Sequence, residues 1–248
     1  MNKNLLPALI LIFFAWTACD GNSETEPGLD PDTGKSYFWL EPGKFREYNV
    51  LEIRYLAVGV SDTLRYQLRE EVREPIASVE AESAHVIYRY TRANDQEDWD
   101  LDSLWSARVE ADAAISTENN IPYVKLTFPA VEQRAWDANS RNILPLDTFR
   151  VTVFDPRDAE ENTAVFNFGI NSFSEVLVVE QSSEDNPVFT DERVEVYKDS
   201  LGLVFKEYNQ ITYCTTSTIC DYDPTNPQQF VVRGRFYREI LFNHGSLE

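Results

Sequence analysis

The chain has 248 residues, of which 42 are acidic and 22 basic, and its formal net charge is -20 at pH 7. An acidic surface of this kind repels nucleic-acid phosphates and anionic lipid headgroups. The composition therefore argues against nucleic acid as a partner. The negative charge could attract Ca²⁺ or a basic partner, or it could simply keep the surface well hydrated.

The first 18 residues have the pattern of a secretion signal. Lys3 precedes an apolar run from Leu5 to Trp16, which is too short to cross a bilayer as a helix. Thr17 and Ala18 then place small side chains before the thiol of Cys19. The segment resembles a bacterial lipobox, which implies cleavage before Cys19 and lipidation of that cysteine. Trp16 stands where Leu is usual, so a plain secretion signal that leaves Cys19 free is the alternative.

The sequence after Cys19 predicts a flexible tether. Residues Asp20 to Ser36 contain a single Leu among polar residues, Gly and Pro, and such a composition cannot bury enough apolar surface to fold. The domain prediction is a signal peptide (1–18), an acylated cysteine with its tether (19–36), one β domain (37–245) and a short tail (246–248). The expected location is the cell envelope, anchored in the outer membrane and facing the periplasm or the surface.

Alternation of apolar and polar residues dominates the rest of the chain. In LEIRYL, Leu51 and Ile53 alternate with Glu52 and Arg54, and a second alternating run spans Asp62 to Val72. Two such runs around Gly59 predict a β-hairpin with one wet face.

Strand-like runs recur along the chain, and polar turns separate many of them. They predict an all-β fold, an antiparallel meander curled into a barrel or half-barrel, with a β-sandwich as the alternative. The best candidate for a helix is the short segment Val131 to Asn139. The further predicted strands are His85–Arg92, Asp100–Glu110, Pro122–Phe128, Thr148–Phe154, Ala164–Ile170, Phe173–Glu180 and Arg193–Lys198.

The last two predicted strands, Leu203 to Tyr213 and Phe230 to Phe242, form the arms of a long hairpin. Cys214 and Cys220 lie in the connection between them. An oxidising envelope compartment permits a disulfide between these cysteines, and two free thiols are the alternative. Zinc is disfavoured because it usually takes four ligands with more sulfur or imidazole than this segment offers.

Three segments resemble a family of uncharacterised β-rich envelope lipoproteins of Gram-negative bacteria. They are YFWLEPGKFREYNV (37–50), WDLDSLWSARVE (99–110) and VYKDSLGLVFKEY (196–208). The family opens with Tyr-Phe-Pro-Leu, then Gly and an aromatic pair. The resemblance implies a secreted, lipid-anchored β domain and supplies no catalytic residues. This chain departs from the pattern at Trp39 (usually Pro), at Phe45 (usually Trp) and in an insertion after Tyr213.

Catalytic patterns are scarce. Nucleophilic catalysis by Ser or Cys usually needs a histidine base, and the chain has only His85 and His244. No GxSxG, HExxH or phosphate-binding glycine loop occurs. The sequence therefore predicts a protein that is not an enzyme.

Acidic clusters offer oxygen ligands that Ca²⁺ accepts. The densest contains Asp95, Asp98 and Asp100, and it lacks the glycine and terminal glutamate of an EF-hand loop. A hydrated turn is the alternative there. Apart from Ca²⁺ we expect no cofactor. Weaker candidates are Asp221, Asp223 and Asn226 beside the cysteines, and Asp30 and Asp32 in the tether.

Tryptophans are the candidates for ligand contact, because they stack on sugars or line apolar cavities. Trp99 lies next to a predicted turn and Trp136 in a polar segment, so these two are singled out. Core packing is the alternative for most aromatic residues.

Three functions remain open. A binding or carrier module for a small or apolar ligand requires a pocket lined by Phe, Tyr and Leu. A structural or interaction subunit of an envelope complex requires an exposed apolar patch or an open strand edge, with a filled interior. A hydrolase, the third, requires two converging carboxylates, one with a raised pKa.

Overall fold

The computed structural model describes residues 30–76, 83–153, 165–168, 171–216, 218, 220, 225 and 230–247. These residues form an all-β domain, as predicted, with one short 3₁₀ helix (Lys35–Tyr37). The described part of the chain has no helix with the length and hydrophobicity of a membrane span. The strands are β1 (Lys44–Ala57), β2 (Val60–Ile76), β3 (Ala84–Arg92), β4 (Asp100–Val109), β5 (Ala113–Glu118), β6 (Ile121–Thr127), β7 (Ala135–Asp137), β8 (Thr148–Val153), β9 (Val165–Phe168), β10 (Asn171–Ser174), β11 (Val176–Asp185), β12 (Phe189–Lys198), β13 (Gly202–Tyr213) and β14 (Val231–Ser246).

Twelve of these strands form one antiparallel sheet in the order β6-β5-β4-β3-β2-β1-β14-β13-β12-β11-β8-β7. Two meanders, β1 to β6 and β7 to β14, are joined where the first and last strands pair, from Lys44 opposite Ser246 to Tyr55 opposite Gly234. A separate hairpin, β9–β10, interrupts the second meander. The predicted meander is thus confirmed, with its two ends paired in the middle of the sheet.

The sheet is nearly closed into a barrel, because its two edge strands, β6 and β7, come together. The Val124 N–H of β6 donates to the Ala138 carbonyl, which follows β7, over 2.9 Å. The indole Nε1 of Trp136 on β7 donates to the Val124 carbonyl, also over 2.9 Å. These two hydrogen bonds form the seam of the barrel.

The best candidate for a helix, Val131 to Asn139, is not helical in the structure. This segment contains a turn followed by β7 (Ala135–Asp137), which pairs with β8. Trp136 needs a strand conformation to reach the seam, and tertiary packing there outweighs the weak helical pattern. Strand β5 (Ala113–Glu118) was also missed, because the sequence AAISTE does not alternate clearly.

The alternation predicted for the second strand of the first hairpin is confirmed, because Leu64 and Leu68 lie on the inner face and Arg65 is exposed on the outer face, but in β1 the two faces are reversed. Glu52 pairs with Leu64 and lies on the same face as the buried Val50, and only 3% of it is exposed. Leu51 and Ile53, one residue away, lie on the opposite, outer face. Glu52 tolerates burial because Arg54 and Arg235 neutralise it at 2.7 and 2.9 Å.

The N-terminal residues contact the barrel earlier than the predicted boundary at Tyr37. The Thr33 carbonyl accepts a hydrogen bond from Ala130 N–H, and the Ser36 carbonyl accepts one from Ser200 N–H. Phe38 then packs against two groups of buried apolar residues. Residues 30–43 therefore cover one end of the barrel.

The C-terminal hairpin is confirmed, since β13 and β14 pair in antiparallel register. The sulfur atoms of Cys214 and Cys220 in its connection lie at disulfide distance, with a Cα–Cα separation of 6.4 Å. Cys19, with the whole signal sequence, lies outside the described residues.

Candidate functional site

The interior of the barrel contains a cluster of charged side chains. Glu195 on β12 is only 1% exposed and lies 2.6 Å from Lys125 Nζ and 3.3 Å from Lys206 Nζ. The hydroxyls of Tyr197 and Tyr208 also donate to this carboxylate, over 2.6 and 2.7 Å. Because every contact of Glu195 is a donor or a cation, the cluster holds the carboxylate in its ionised form.

The charges in this cluster shift one another's pKa values. Burial alone would raise the pKa of Glu195, but the ammonium groups of Lys125 and Lys206 outweigh it and hold the pKa well below its usual range. Burial likewise opposes the charge on Lys125, and Glu195 more than compensates, so that its pKa is raised. Burial and the adjacent Glu195 raise the pKa of Tyr208 to about 12.

A second buried carboxylate, Glu239 on β14, lies in a different environment. Burial raises its pKa, the Lys206 ammonium lowers it, and the negative charge of Glu70 raises it further. Its oxygen accepts a hydrogen bond from the Tyr237 hydroxyl over 2.6 Å. Glu70 itself is neutralised by Arg46 and Arg89 at 3.5 and 3.1 Å. The interior thus contains two carboxylates whose pKa values are shifted in opposite directions, which is one of the features that the hydrolase hypothesis requires.

These charged groups line a small cavity under the N-terminal cover. Its volume is about 70 Å³, enough for roughly five water molecules. Within the described part of the chain, Trp105 Nε1 and Arg46 Nε are buried without a hydrogen-bond partner, and both residues line this cavity. Water satisfies such donors well, whereas a bulky apolar ligand would find too little room and too much charge.

Strands β1 to β4 and β14 continue from the buried charges towards the other end of the barrel. A groove of about 480 Å³ opens there, and its lining includes Glu52, Arg54, Arg89, Asp100 and Asp102. Arg92 and Arg235 also line it. All four arginines form ion pairs: Arg54 and Arg235 with Glu52, Arg89 with Glu70, and Arg92 with Asp95. We call this space the open groove.

One wall of the open groove ends in a free strand edge. Strand β5 pairs only with Ser106 to Val109 of β4, whereas β4 begins at Asp100. Residues 100–105 therefore have β3 on one side and, within the described part of the chain, no strand on the other. Such an edge presents unpaired backbone N–H and C=O groups.

A second exposed feature is the loop between β7 and β8. Ile143 is fully exposed at 101%, and Leu144 and Leu146 are 41% and 76% exposed. Side-chain amides fix the loop: Asn142 Nδ2 donates to the Pro122 carbonyl over 2.8 Å, and Asn139 Nδ2 donates to the Pro145 carbonyl over 2.6 Å. We call residues 143–146 the apolar loop.

The two candidate tryptophans, Trp99 and Trp136, differ in burial and in their contacts. Trp136 is 9% exposed and packs edge-on against Phe149, with ring centroids 6.1 Å apart. Trp99 is half-buried beside the open groove, and the Arg92 guanidinium lies 4.2 Å from its ring centroid. The structure therefore places Trp136 in the core and leaves Trp99 near the surface.

The proposed calcium ligands do not converge. Asp95 forms an ion pair with Arg92 at 3.2 Å, and Asp100 begins β4. Among the described residues no group of three or more His, Cys, Asp or Glu side chains is placed to hold a metal ion. Asp30 accepts from the backbone of Asp32, which pairs with Lys35. Asp221, Asp223 and Asn226 lie outside the described residues.

Sequence reasoning missed the buried charges. Lys125, Glu195 and Lys206 each stand in a strand with apolar neighbours, as in YVKLTF, RVEVY and LVFKEY. For Lys125, a lone charge inside an otherwise apolar segment is the signal that could have found it, because such a charge needs a partner if it points into a core. Glu195 and Lys206 give no such signal, because Arg193 and Glu207 stand close to them in the sequence. Their pairing across β6, β12 and β13 is a property of the barrel and not of local sequence.

The fold and these sites define a class, the nearly closed all-β barrel with a charged interior. A scan against protein-family models found no match, and searches of curated proteins and of solved structures found none either.

Proposed function

We propose that this chain is a protein-interaction module of the bacterial envelope, anchored there by a lipid on Cys19. Exposed apolar side chains on an ordered surface mark sites of protein contact. The apolar loop is such a site, since its amide clamps hold it in place while Ile143 remains fully exposed. This observation carries the proposal.

The barrel interior supports an interaction role over a carrier role. A carrier of an apolar cargo needs an apolar pocket of several hundred cubic ångströms. The cavity under the N-terminal cover is only about 70 Å³, and its lining mixes apolar residues such as Phe38 and Leu40 with the charged Arg46, Lys125 and Glu195. We therefore favour the structural or interaction role, and the carrier role is the second candidate. The absence of catalysis stays a prediction, and Glu195 and Glu239 are the carboxylates on which to test it.

Site-specific photocrosslinking tests the contact. With a photoreactive side chain at Ile143, we expect a discrete crosslinked protein in intact cells, because apolar surface of this kind gains about 25 cal/mol per Å² on burial. A photoreactive side chain at Val60, which is 52% exposed in the β1–β2 turn, is the matched control and should give no such product.

A second variant makes the crosslinking result decisive. Serine at Ile143, Leu144 and Leu146 should leave thermal stability nearly unchanged, because exposed substitutions cost within about 0.5 kcal/mol each. The same substitutions should weaken co-purification of the crosslinked protein. Equal crosslinking from positions 143 and 60, or crosslinking to lipid alone, would contradict the proposal.

The anchor has its own test. Replacing Cys19 by alanine removes the thiol that would carry the lipid, and the protein is expected to leave the membrane fraction for the soluble fraction. A tether and an acidic domain supply little membrane affinity of their own. An unchanged distribution after cell fractionation would rule out lipidation at Cys19.

A further inference from the structure

The free edge of β4 has the geometry of a site for an added strand. Residues 100–105 span about 20 Å of extended backbone, and β5 covers only the positions from Ser106 onward. Extended peptides bind such edges by completing the backbone hydrogen-bond ladder. The edge is long enough for a short peptide and lies beside the open groove.

The two faces of this edge differ in chemistry. Leu101 and Leu104 pair with Tyr90 and Tyr88 on the outer face, and both leucines are more than half exposed. Asp100 and Asp102 line the open groove on the inner face. Asp102 is the extra residue of a β-bulge opposite Arg89 and Tyr90, and for this reason Leu101 and Leu104 share the outer face although they are three residues apart. An added strand would direct its outward side chains towards these leucines and its inward side chains towards Asp100 and Asp102.

Charge decides what kind of strand fits. Among the described residues, four arginines line the groove, and each of them is paired with a carboxylate: Arg54 and Arg235 with Glu52, Arg89 with Glu70, and Arg92 with Asp95. In the described part of the chain, Asp100 and Asp102 form no ion pair. The unpaired charges at this edge, Asp100 and Asp102, are thus acidic, and the whole chain carries -20. A second copy of this acidic chain is disfavoured, and a basic partner is attracted.

We propose that residues 100–105 of β4 bind an extended, basic segment of a partner protein, in which lysine or arginine alternates with apolar residues. This inference extends the proposed function to a second surface and rests on different residues from those of the apolar loop. Basic side chains would face Asp100 and Asp102, and the apolar ones would cover Leu101 and Leu104.

The test uses a short blocked peptide in which lysine and valine alternate, added to the folded domain. Amide hydrogen exchange at residues 100–105 is expected to slow on binding, because free backbone groups become hydrogen-bonded. Replacing Asp100 and Asp102 together by asparagine should weaken binding about fivefold. Replacing the exposed Asp112 by asparagine and the exposed Glu132 by glutamine, away from the groove, removes the same charge as a matched control and should weaken binding less than about twofold.

Three results would overturn the inference. An alternating glutamate–valine peptide is expected to give no protection, so equal protection by it would show that charge does not select the strand. Protection at residues 183–185 of β11 instead would show that the peptide binds a different strand from β4. If β4 is protected in the absence of peptide and the domain sediments as a dimer, the edge binds a second copy of this chain. The serine variant of the apolar loop should bind the peptide normally, which separates this test from that of the proposed function.

Discussion

Replacing Lys125 by methionine is expected to lower the free energy of unfolding by about 3–5 kcal/mol. Lys125 is the nearest cation to Glu195, at 2.6 Å, and both side chains are buried. Methionine has a similar length and leaves Glu195 in place with one of its two cations removed. Removing one partner of a buried ion pair leaves a charge that has lost its hydration without full compensation. Urea denaturation at pH 7 measures the loss.

An exposed Lys–Glu pair is the matched control. Lys198 contacts Glu175 at 2.7 Å, but these side chains are 30% and 61% exposed. Replacing Lys198 by methionine should cost less than about 1 kcal/mol, because water already solvates both charges. A cost for the Lys125 variant no larger than that for the Lys198 variant would contradict the buried charge cluster.

The pH dependence follows from the sign of the shift at Glu195. Its pKa in the folded chain is lowered from the usual 4.5, so the folded state binds its proton more weakly than the unfolded state. Its contribution to stability is therefore complete above about pH 4.5 and is lost as the pH falls below that value. The difference between the native chain and the Lys125 variant should shrink over the same range. A difference that stays constant between neutral and acidic pH would show that packing, not charge, causes it.

The strands were predictable where each strand has a polar and an apolar side. The run from Asp62 to Val72 lies within β2, and Arg193 to Lys198 lies within β12. Short or irregular strands were not predictable. Strand β7 consists of Ala135 to Asp137 alone, and it exists because Trp136 reaches Val124 across the seam. That contact depends on two segments that local alternation does not connect.

The inner surface of the barrel was harder to predict than its strands. Alternation usually places charges outside, and Glu52 breaks this rule because two arginines neutralise it inside. Glu195 breaks it for the same reason, with partners 70 and 11 positions away in the chain. With 42 acidic residues, abundance conceals which carboxylates are buried. Only the register between strands selects them.

The sequence predicts the residues of β4, but it does not predict that part of the edge of this strand is free. The predicted strand from Asp100 to Glu110 closely matches β4. Its exposure depends on β5, which is six residues long and pairs only with the second half of β4. The lengths of neighbouring strands, not the sequence of β4 itself, decide where a sheet leaves an edge open.

Replacing Trp136 by alanine is the second change with a large expected effect, about 3–5 kcal/mol lower free energy of unfolding. The ring fills the largest group of buried apolar residues and packs against Phe149. Its Nε1 also satisfies the Val124 carbonyl at the seam, so alanine leaves both a cavity and an unpaired buried acceptor. Hydrogen exchange at the Val124 amide should accelerate as the two edge strands separate.

Two further substitutions separate packing from the hydrogen bond. Phenylalanine at position 136 keeps most of the ring and removes the N–H group, so it should cost about 1–3 kcal/mol. Alanine at Trp99 removes a half-buried ring whose cation contact with Arg92 is worth about 1 kcal/mol or less. Equal costs for alanine at positions 99 and 136 would show that the seam does not stabilise the barrel. The expected order, with position 136 far more sensitive, would show that closure of the sheet depends on this one indole.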